Sequence, residues 1–205
     1  MPAPLVPARH TSERWAKMED EHPVDTLRSA TEIARRALTL SAVVSVAHGD
    51  SREGVGAWLK KESLWAELSP KERAFMSTPE PIKKEAIAFT WHVERLVPLL
   101  WAIQKIPDLP ALSGQCDPES IKGAVIWPPA GTRDFIESAA LRSEEEIEEA
   151  YEQTYQAHWR VRDAQLRKLP PPDGLDGEVI FERHWAFNWV IGYFGQAWDD
   201  IKADT

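Results

Sequence analysis

Apolar positions in this chain recur at helical spacing from residue 26 onward. Leu27, Ala30, Ala34, Ala37, Ser41 and Val44 share one stripe, and the run ALTLSAVVSVA over 37–47 is apolar nearly all round, as in a buried helix. His48-Gly49-Asp50 supplies its stop. A short helical segment is predicted from Gly54 to about residue 68. Ser69-Pro70-Lys71-Glu72 combines a capping serine, a first-turn proline and the glutamate of a capping box, so a helix starts there and ends before Pro79 and Pro81. One long helix is predicted from about 82 to 106, on the stripe Ile82, Ala86, Phe89, Val93, Leu96, Leu100 and Ile103, with a kink at Pro98.

The second half alternates breakers and helices. Residues 107–132 are rich in Pro and Gly and predict a loop, with at most a short extended piece at 124–127. Residues 133–142 suit a short helix. Ser143-Glu-Glu-Glu146 is a second capping box and opens a helix to about residue 168, ended by Pro170-Pro-Pro-Asp-Gly174. The last long helix runs from 179 to about 193, and a final turn follows near 198–203. No period-two alternation lasts more than a few residues. The expected fold is all-α: a single compact multi-helix domain over 25–205, with a long Pro/Gly-rich loop around 107–132 and little or no β-structure. A Pro-rich, charged tail or arm precedes it over 1–24.

Composition narrows the function classes. The chain has 205 residues, with 24 Lys+Arg against 33 Asp+Glu and a formal net charge of −9. That balance argues against a nucleic-acid phosphate binder. No apolar run reaches the ~18 residues of a membrane span. The single cysteine, Cys116, excludes an internal disulfide framework. The opening MPAPLVPARHTSERW has no basic start and no apolar stretch of a signal peptide, so a cytoplasmic location is expected. Ten tryptophans are spread from Trp15 to Trp198. Dispersed tryptophans point to large core side chains with paired indole N–H groups rather than to a stacking platform.

Familiar catalytic and metal motifs are missing. One Cys and six scattered His do not form a short-spaced zinc site, and no two His stand four apart. The only Glu-x-x-His is Glu19 to His22, in the tail. Gly54-Val-Gly56 lacks the third glycine of a dinucleotide loop, and no phosphate loop or Gly-x-Ser-x-Gly elbow occurs. No metal and no cofactor is expected. Cys116, with no His nearby in sequence, reads as a loop thiol without function. The acidic run from Glu144 to Glu149 complements a helix dipole, and Arg160, Arg162, Arg167 and Lys168 complement its other end.

Polar groups enter the predicted core in two places. Over 181–189 the helix is apolar on nearly every face, yet it carries Glu182, Arg183, His184 and Asn188. The Glu-rich helix carries His158 and Arg162 four apart, and Asp199 follows Trp198 near the end. Buried charges need partners, so His158, Arg162, Glu182, Arg183, His184, Asn188 and Asp199 are expected to form one polar network linking the two helices. Two roles stay open for it: fixing helix register, or serving as a site with His184 or His158 as base and an Arg as anion clamp.

The chain resembles an uncharacterised bacterial family, the domain of unknown function numbered 4272. The resemblance rests on Trp58-Leu59, Leu68-Ser69-Pro70-Lys71-Glu72, Trp91-His-Val-Glu94, Leu100-Trp101-Ala102 and Cys116-Asp117. Further on it rests on Tyr155-Gln-Ala-His158-Trp159, Glu182-Arg183-His184, Asn188-Trp189, Trp198-Asp199 and Asp204-Thr205. It implies a single helical domain and carries over no activity and no catalytic residue. The chain departs from the family pattern at Phe187, where a leucine is usual, and at Gln156, where an arginine is expected.

Two function classes follow. The first is a non-catalytic protein-interaction domain, of which an immunity-type partner of a basic toxin is one concrete form; the expected partner is another protein, not nucleic acid or membrane. The second is an enzyme or small-ligand-binding protein with a polar site around His184, Arg183 and His158. The second requires a cleft that admits solvent to those side chains; the first does not. The sequence leaves the oligomeric state open.

Overall fold

Serine hydroxyls and glutamate carboxylates fix where three of the helices begin. At Ser29, Ser69 and Ser143 the hydroxyl accepts the N–H of the residue three on, and Glu32, Glu72 or Glu146 accepts the serine N–H in return. The computed structural model describes residues 25–79, 81–124 and 131–205. In chain order these form α1 (Ala30–Ala47), α2 (Arg52–Lys61), α3 (Pro70–Ser77), α4 (Lys83–Trp91), α5 (Val93–Ala102), α6 (Pro118–Lys122), α7 (Thr132–Glu137), α8 (Glu144–Leu166) and α9 (Gly177–Val190). Short 3-10 turns occur at Trp65–Glu67, Pro172–Gly174, Tyr193–Gly195 and Trp198–Asp200. No strand occurs among the described residues, so the fold is all-α. None of these helices is long and apolar enough to cross a membrane. The tail expected over 1–24 and all but the first residue of the extended piece expected at 124–127 lie outside the described residues.

Helices α1, α5, α9 and α8 pack against one another in that order. Both α5 and α9 are buried around almost their whole circumference, which puts them at the centre. One cluster of buried side chains draws on α1, α2, α3, α5, α8, α9 and the C-terminal segment.

Three sequence expectations need correction. The predicted helix over 82–106 is two helices that meet at His92, not one helix kinked at Pro98. The reason is burial: α4 buries only Phe89 and leaves Ile87 exposed, whereas all of α5 past Val93 is inside, so the chain turns at His92 to enter the core. The predicted segment over 54–68 starts at Arg52, where Ser51 caps it, and ends at Lys61. The predicted loop over 107–132 contains α6, capped by Asp117.

The lead-in over 25–29 is extended and lies against the end of α9. The Arg28 N–H donates to Val190 O at 2.9 Å, and its guanidinium donates to Trp189 O and Gln196 O, both at 2.9 Å. This close approach requires a glycine at 192. Its φ is +74°, and a Cβ there would lie 2.1 Å from the Thr26 carbonyl oxygen. Gly192→Ala is therefore expected to destabilise the fold by more than about 2 kcal/mol in urea unfolding. An unchanged midpoint would contradict the packing of this lead-in.

Candidate functional site

Three consecutive residues of α9 leave the helix in different directions. Glu182 and Arg183 turn to α5, and His184 turns to α8. Arg183, 1% exposed, meets Glu94, 0% exposed. Its Nε and Nη2 donate to Glu94 Oε2 at 3.0 and 2.9 Å. Its Nη1 donates to the carbonyls of Pro110 and Ala111. The other Glu94 oxygen accepts the Cys116 N–H at 2.7 Å. The ion pair thus fastens both ends of the 110–116 loop to the core. Burial first, and the Glu94 carboxylate next, push the Cys116 thiol up to about 12, so it stays protonated and is a poor nucleophile.

Two more ion pairs flank this one. Arg95 Nε donates to the Glu182 carboxylate, and the Arg95 guanidinium lies 4.1 Å from the Trp185 ring centroid. Burial pushes the Arg95 pKa down and the Glu182 pKa up, and each partner's charge pulls the other back. Arg36 Nη2 reaches both Glu72 oxygens at 2.7 Å, and its Nη1 donates to Glu67 O at 3.1 Å. Glu72 therefore serves the Ser69 capping box and a buried cation together.

The two histidines meet as expected: His158 Nδ1 and His184 Nδ1 are 2.8 Å apart, at 4% and 1% exposure. One nitrogen must donate and the other accept. His184 Nε2 is buried without a hydrogen-bond partner, so a proton there would be an unsatisfied donor. The lower-cost arrangement puts the His184 proton on Nδ1, donating to His158, which holds its own proton on Nε2. Burial, then the charge of His158, pushes the His184 pKa down to about 3. Burial, then Arg162, pushes His158 down as well. Both rings are neutral near pH 7 and closed from solvent. An open cleft at His184, which the enzyme reading needs, is not what this geometry provides.

The single network expected from the sequence is several separate clusters. The buried charged side chains of α9, Glu182 and Arg183, pair with α5, not with α8. Arg162 is outside: it is exposed and donates to Gln165 Oε1 at 2.9 Å. The reason is that α9 begins beside Val161, where a Cβ on Gly177 would lie 3.1 Å from Val161 Cγ1, so at this level the inner face belongs to Val161. Asp199 is also separate. It accepts the Lys71 N–H at 2.9 Å and so satisfies an open donor in the first turn of α3. Asn188 donates to Lys202 O at 3.1 Å and holds the C-terminal segment.

Sequence reasoning missed Glu94, Arg95 and Arg36 as partners and saw Glu72 only as a cap. The available signal was Glu94-Arg95 inside the apolar run of 93–102, the same pattern that singled out Glu182-Arg183. Tryptophan use also gains a second explanation. Trp101, Trp189 and Trp198 are buried and Trp159 is exposed, while Trp65, Trp101, Trp185, Trp189 and Trp198 each hold a Lys or Arg over the ring. The expected pairing of indole N–H groups fails at Trp185, whose buried Nε1 has no hydrogen-bond partner.

Two surface cavities add to the picture. One of about 610 Å³ is lined by Arg28, Arg36, Lys71, Trp189, Trp198 and Asp199, and its arginines already donate to internal acceptors. The other, of about 640 Å³, has Asp25, Glu144, Glu148 and Glu152 around Leu27 and Ile147. None of those four carboxylates forms an ion pair among the described residues. Among the described residues no group of three or more His, Cys, Asp or Glu is placed to hold a metal ion.

Comparison with known families finds a match. A family described as Domain of unknown function (DUF4272) matches residues 10–201, nearly the whole chain, and the chain belongs to that family. No curated protein and no solved structure matches it.

Two measurements check this site. Arg183→Ala leaves the Glu94 carboxylate buried without its cation and is expected to cost about 3–5 kcal/mol, while Arg162→Ala is expected to stay within about 0.5 kcal/mol of the parent. Equal effects of the two substitutions would refute the placement. The second is pH dependence. The folded pKa values of His92 (about 2), His184 (about 3) and His158 are all depressed, so their neutral forms favour the fold. That contribution is present above the unfolded value near 6.5 and is lost as pH falls below it. Stability is expected to drop between about pH 6.5 and 5 with a slope approaching 1.4 kcal/mol per proton per pH unit. The double variant His158→Gln/His184→Gln should flatten that slope by up to two protons, and an unchanged slope would contradict the buried pair.

Proposed function

We propose that this member of the family is a non-catalytic protein-interaction domain that recognises a basic partner protein. The observation that carries this reading is the closure of its reactive groups. His158 and His184 face each other, the Cys116 thiol is buried, and each of the three Arg–Glu pairs closes on itself inside the fold, so no acid, base or nucleophile among them is presented to a substrate. Charge in excess lies outside instead. The cavity rimmed by Asp25, Glu144, Glu148 and Glu152 has an apolar floor and carboxylates that form no ion pair among the described residues, which suits a Lys or Arg beside an apolar side chain.

The net charge of −9 acts in the same direction, because it accelerates encounter with a positive partner. An immunity-type domain that neutralises a basic toxin is one concrete form of this role. A cytoplasmic setting fits the lone, buried thiol.

Isolation of the native protein from its own cells at low ionic strength tests the reading. A stoichiometric protein partner is expected, with association at least about tenfold slower when salt is raised from about 50 to 500 mM. Recovery of the chain alone, together with turnover of a small molecule that is lost in His184→Gln, would overturn it.

A further inference from the structure

The outer face of α8 carries two features that the fold itself does not require. The helix has 23 residues, a length of about 35 Å, and its inner face is filled by Ile147, Thr154, His158 and Val161. On the opposite face, at helical spacing, lie Glu145, Glu149, Glu152, Gln156, Trp159, Arg160, Asp163, Leu166 and Arg167. Trp159 is 48% exposed and Leu166 78%, two of the five large apolar side chains left exposed among the described residues, with Ile82, Ile87 and Leu169. Charge along this face also changes sign. Glu145, Glu149 and Glu152 form no ion pair among the described residues, and Glu149 and Glu152 accept from the amides of Gln153 and Gln156. The other end carries Arg160 and Arg167, in exposed pairs with Asp173 and Asp163.

A face that is acidic at one end and basic at the other is complementary to itself when reversed. We propose that this face is an interface between two copies of the chain, with the two α8 helices antiparallel about a twofold axis near Gln156. That operation sets Glu145 opposite the partner's Arg167, each 11 residues from Gln156, and Glu152 opposite the partner's Arg160, each four residues away. Symmetry makes each contact twice. Trp159 lies beside the axis and covers the amide side chains of the partner's Gln153 and the partner's Gln156, and Leu166 packs toward the stems of the partner's Glu145 and the partner's Glu149. Asp163 faces the partner's Glu149, with its own Arg167 held 3.0 Å away to screen the contact. The internal pairs of Arg160 and Arg167 are solvent-exposed and exchange at little cost.

One helix face covers a few hundred Å² per copy, less than the roughly 800 Å² of a stable pair, and two copies at −9 repel. The association is therefore weak, with a dissociation constant on the order of 100 µM.

Sedimentation equilibrium of the full chain at fixed low salt tests the proposal. Glu145→Lys/Glu152→Lys and Arg160→Glu/Arg167→Glu should each weaken association by about tenfold or more, and the four substitutions together should restore it to within about threefold. The first pair changes the net charge from −9 to −9 + 4 = −5, which would strengthen association if overall repulsion alone governed it. Trp159→Glu should abolish the pair, with helix content by circular dichroism unchanged. A parent chain that stays monomeric into the millimolar range, or a fourfold variant that does not regain association, would overturn the proposal.

Discussion

Closing the core requires Glu94 and Arg183 to leave water together. Removing a carboxylate and a guanidinium from water costs several kcal/mol for each ion, and their attraction offsets this only when the remaining donors and acceptors are also satisfied. Here they are. Arg183 spends its other N–H group on two loop carbonyls, and Glu94 takes the Cys116 N–H on its second oxygen. Because each partner is useless without the other, α5 and α9 have one permitted register, and the 110–116 loop has one permitted path. The pair acts less as a source of stability than as a constraint on which helix faces meet. The Arg95–Glu182 and Arg36–Glu72 pairs repeat the device, so α5 is tied to α9, and α1 to α3, by charge as well as by apolar contact.

This arrangement explains why so many aromatic rings are present. Several guanidinium groups at the core and its edge have a face covered by a ring as well as their edges bonded. Trp185 lies over Arg95, Trp198 over Arg36 and Trp189 over Arg28. Tryptophans that composition alone assigns to the core are in part lids on cations. The same interior removes His158, His184 and Cys116 from solvent.

Much of the fold was legible because its signals are local. Ser69 and Ser143 mark helix starts through side chains three residues apart, and the apolar circumference of 181–191 correctly identified a central helix. The break at His92 was not legible, since the apolar stripe keeps its phase through it and only the difference in burial between α4 and α5 distinguishes them. At the candidate site, the need for partners was legible and their identity was not. Glu94 is 89 positions from Arg183, and no local rule joins them. His158 and His184 were correctly brought together because each interrupts an apolar face. Arg162 failed because four residues along α8 also rotate the side chain by about 40°, enough to move it from the α9 contact into solvent. Asp199 failed because its neighbour Trp198 is buried while Asp199 itself turns to the start of α3.

Glu94 and Arg183 act as one energetic unit. A double-mutant cycle on the full chain, with Glu94→Ala, Arg183→Ala and both together followed by urea unfolding, measures that directly. The prediction is a double variant that loses less than the sum of the single losses by about 2 kcal/mol or more, because the second substitution removes a charge already left unpaired. Single losses that simply add, to within about 0.5 kcal/mol, would contradict it.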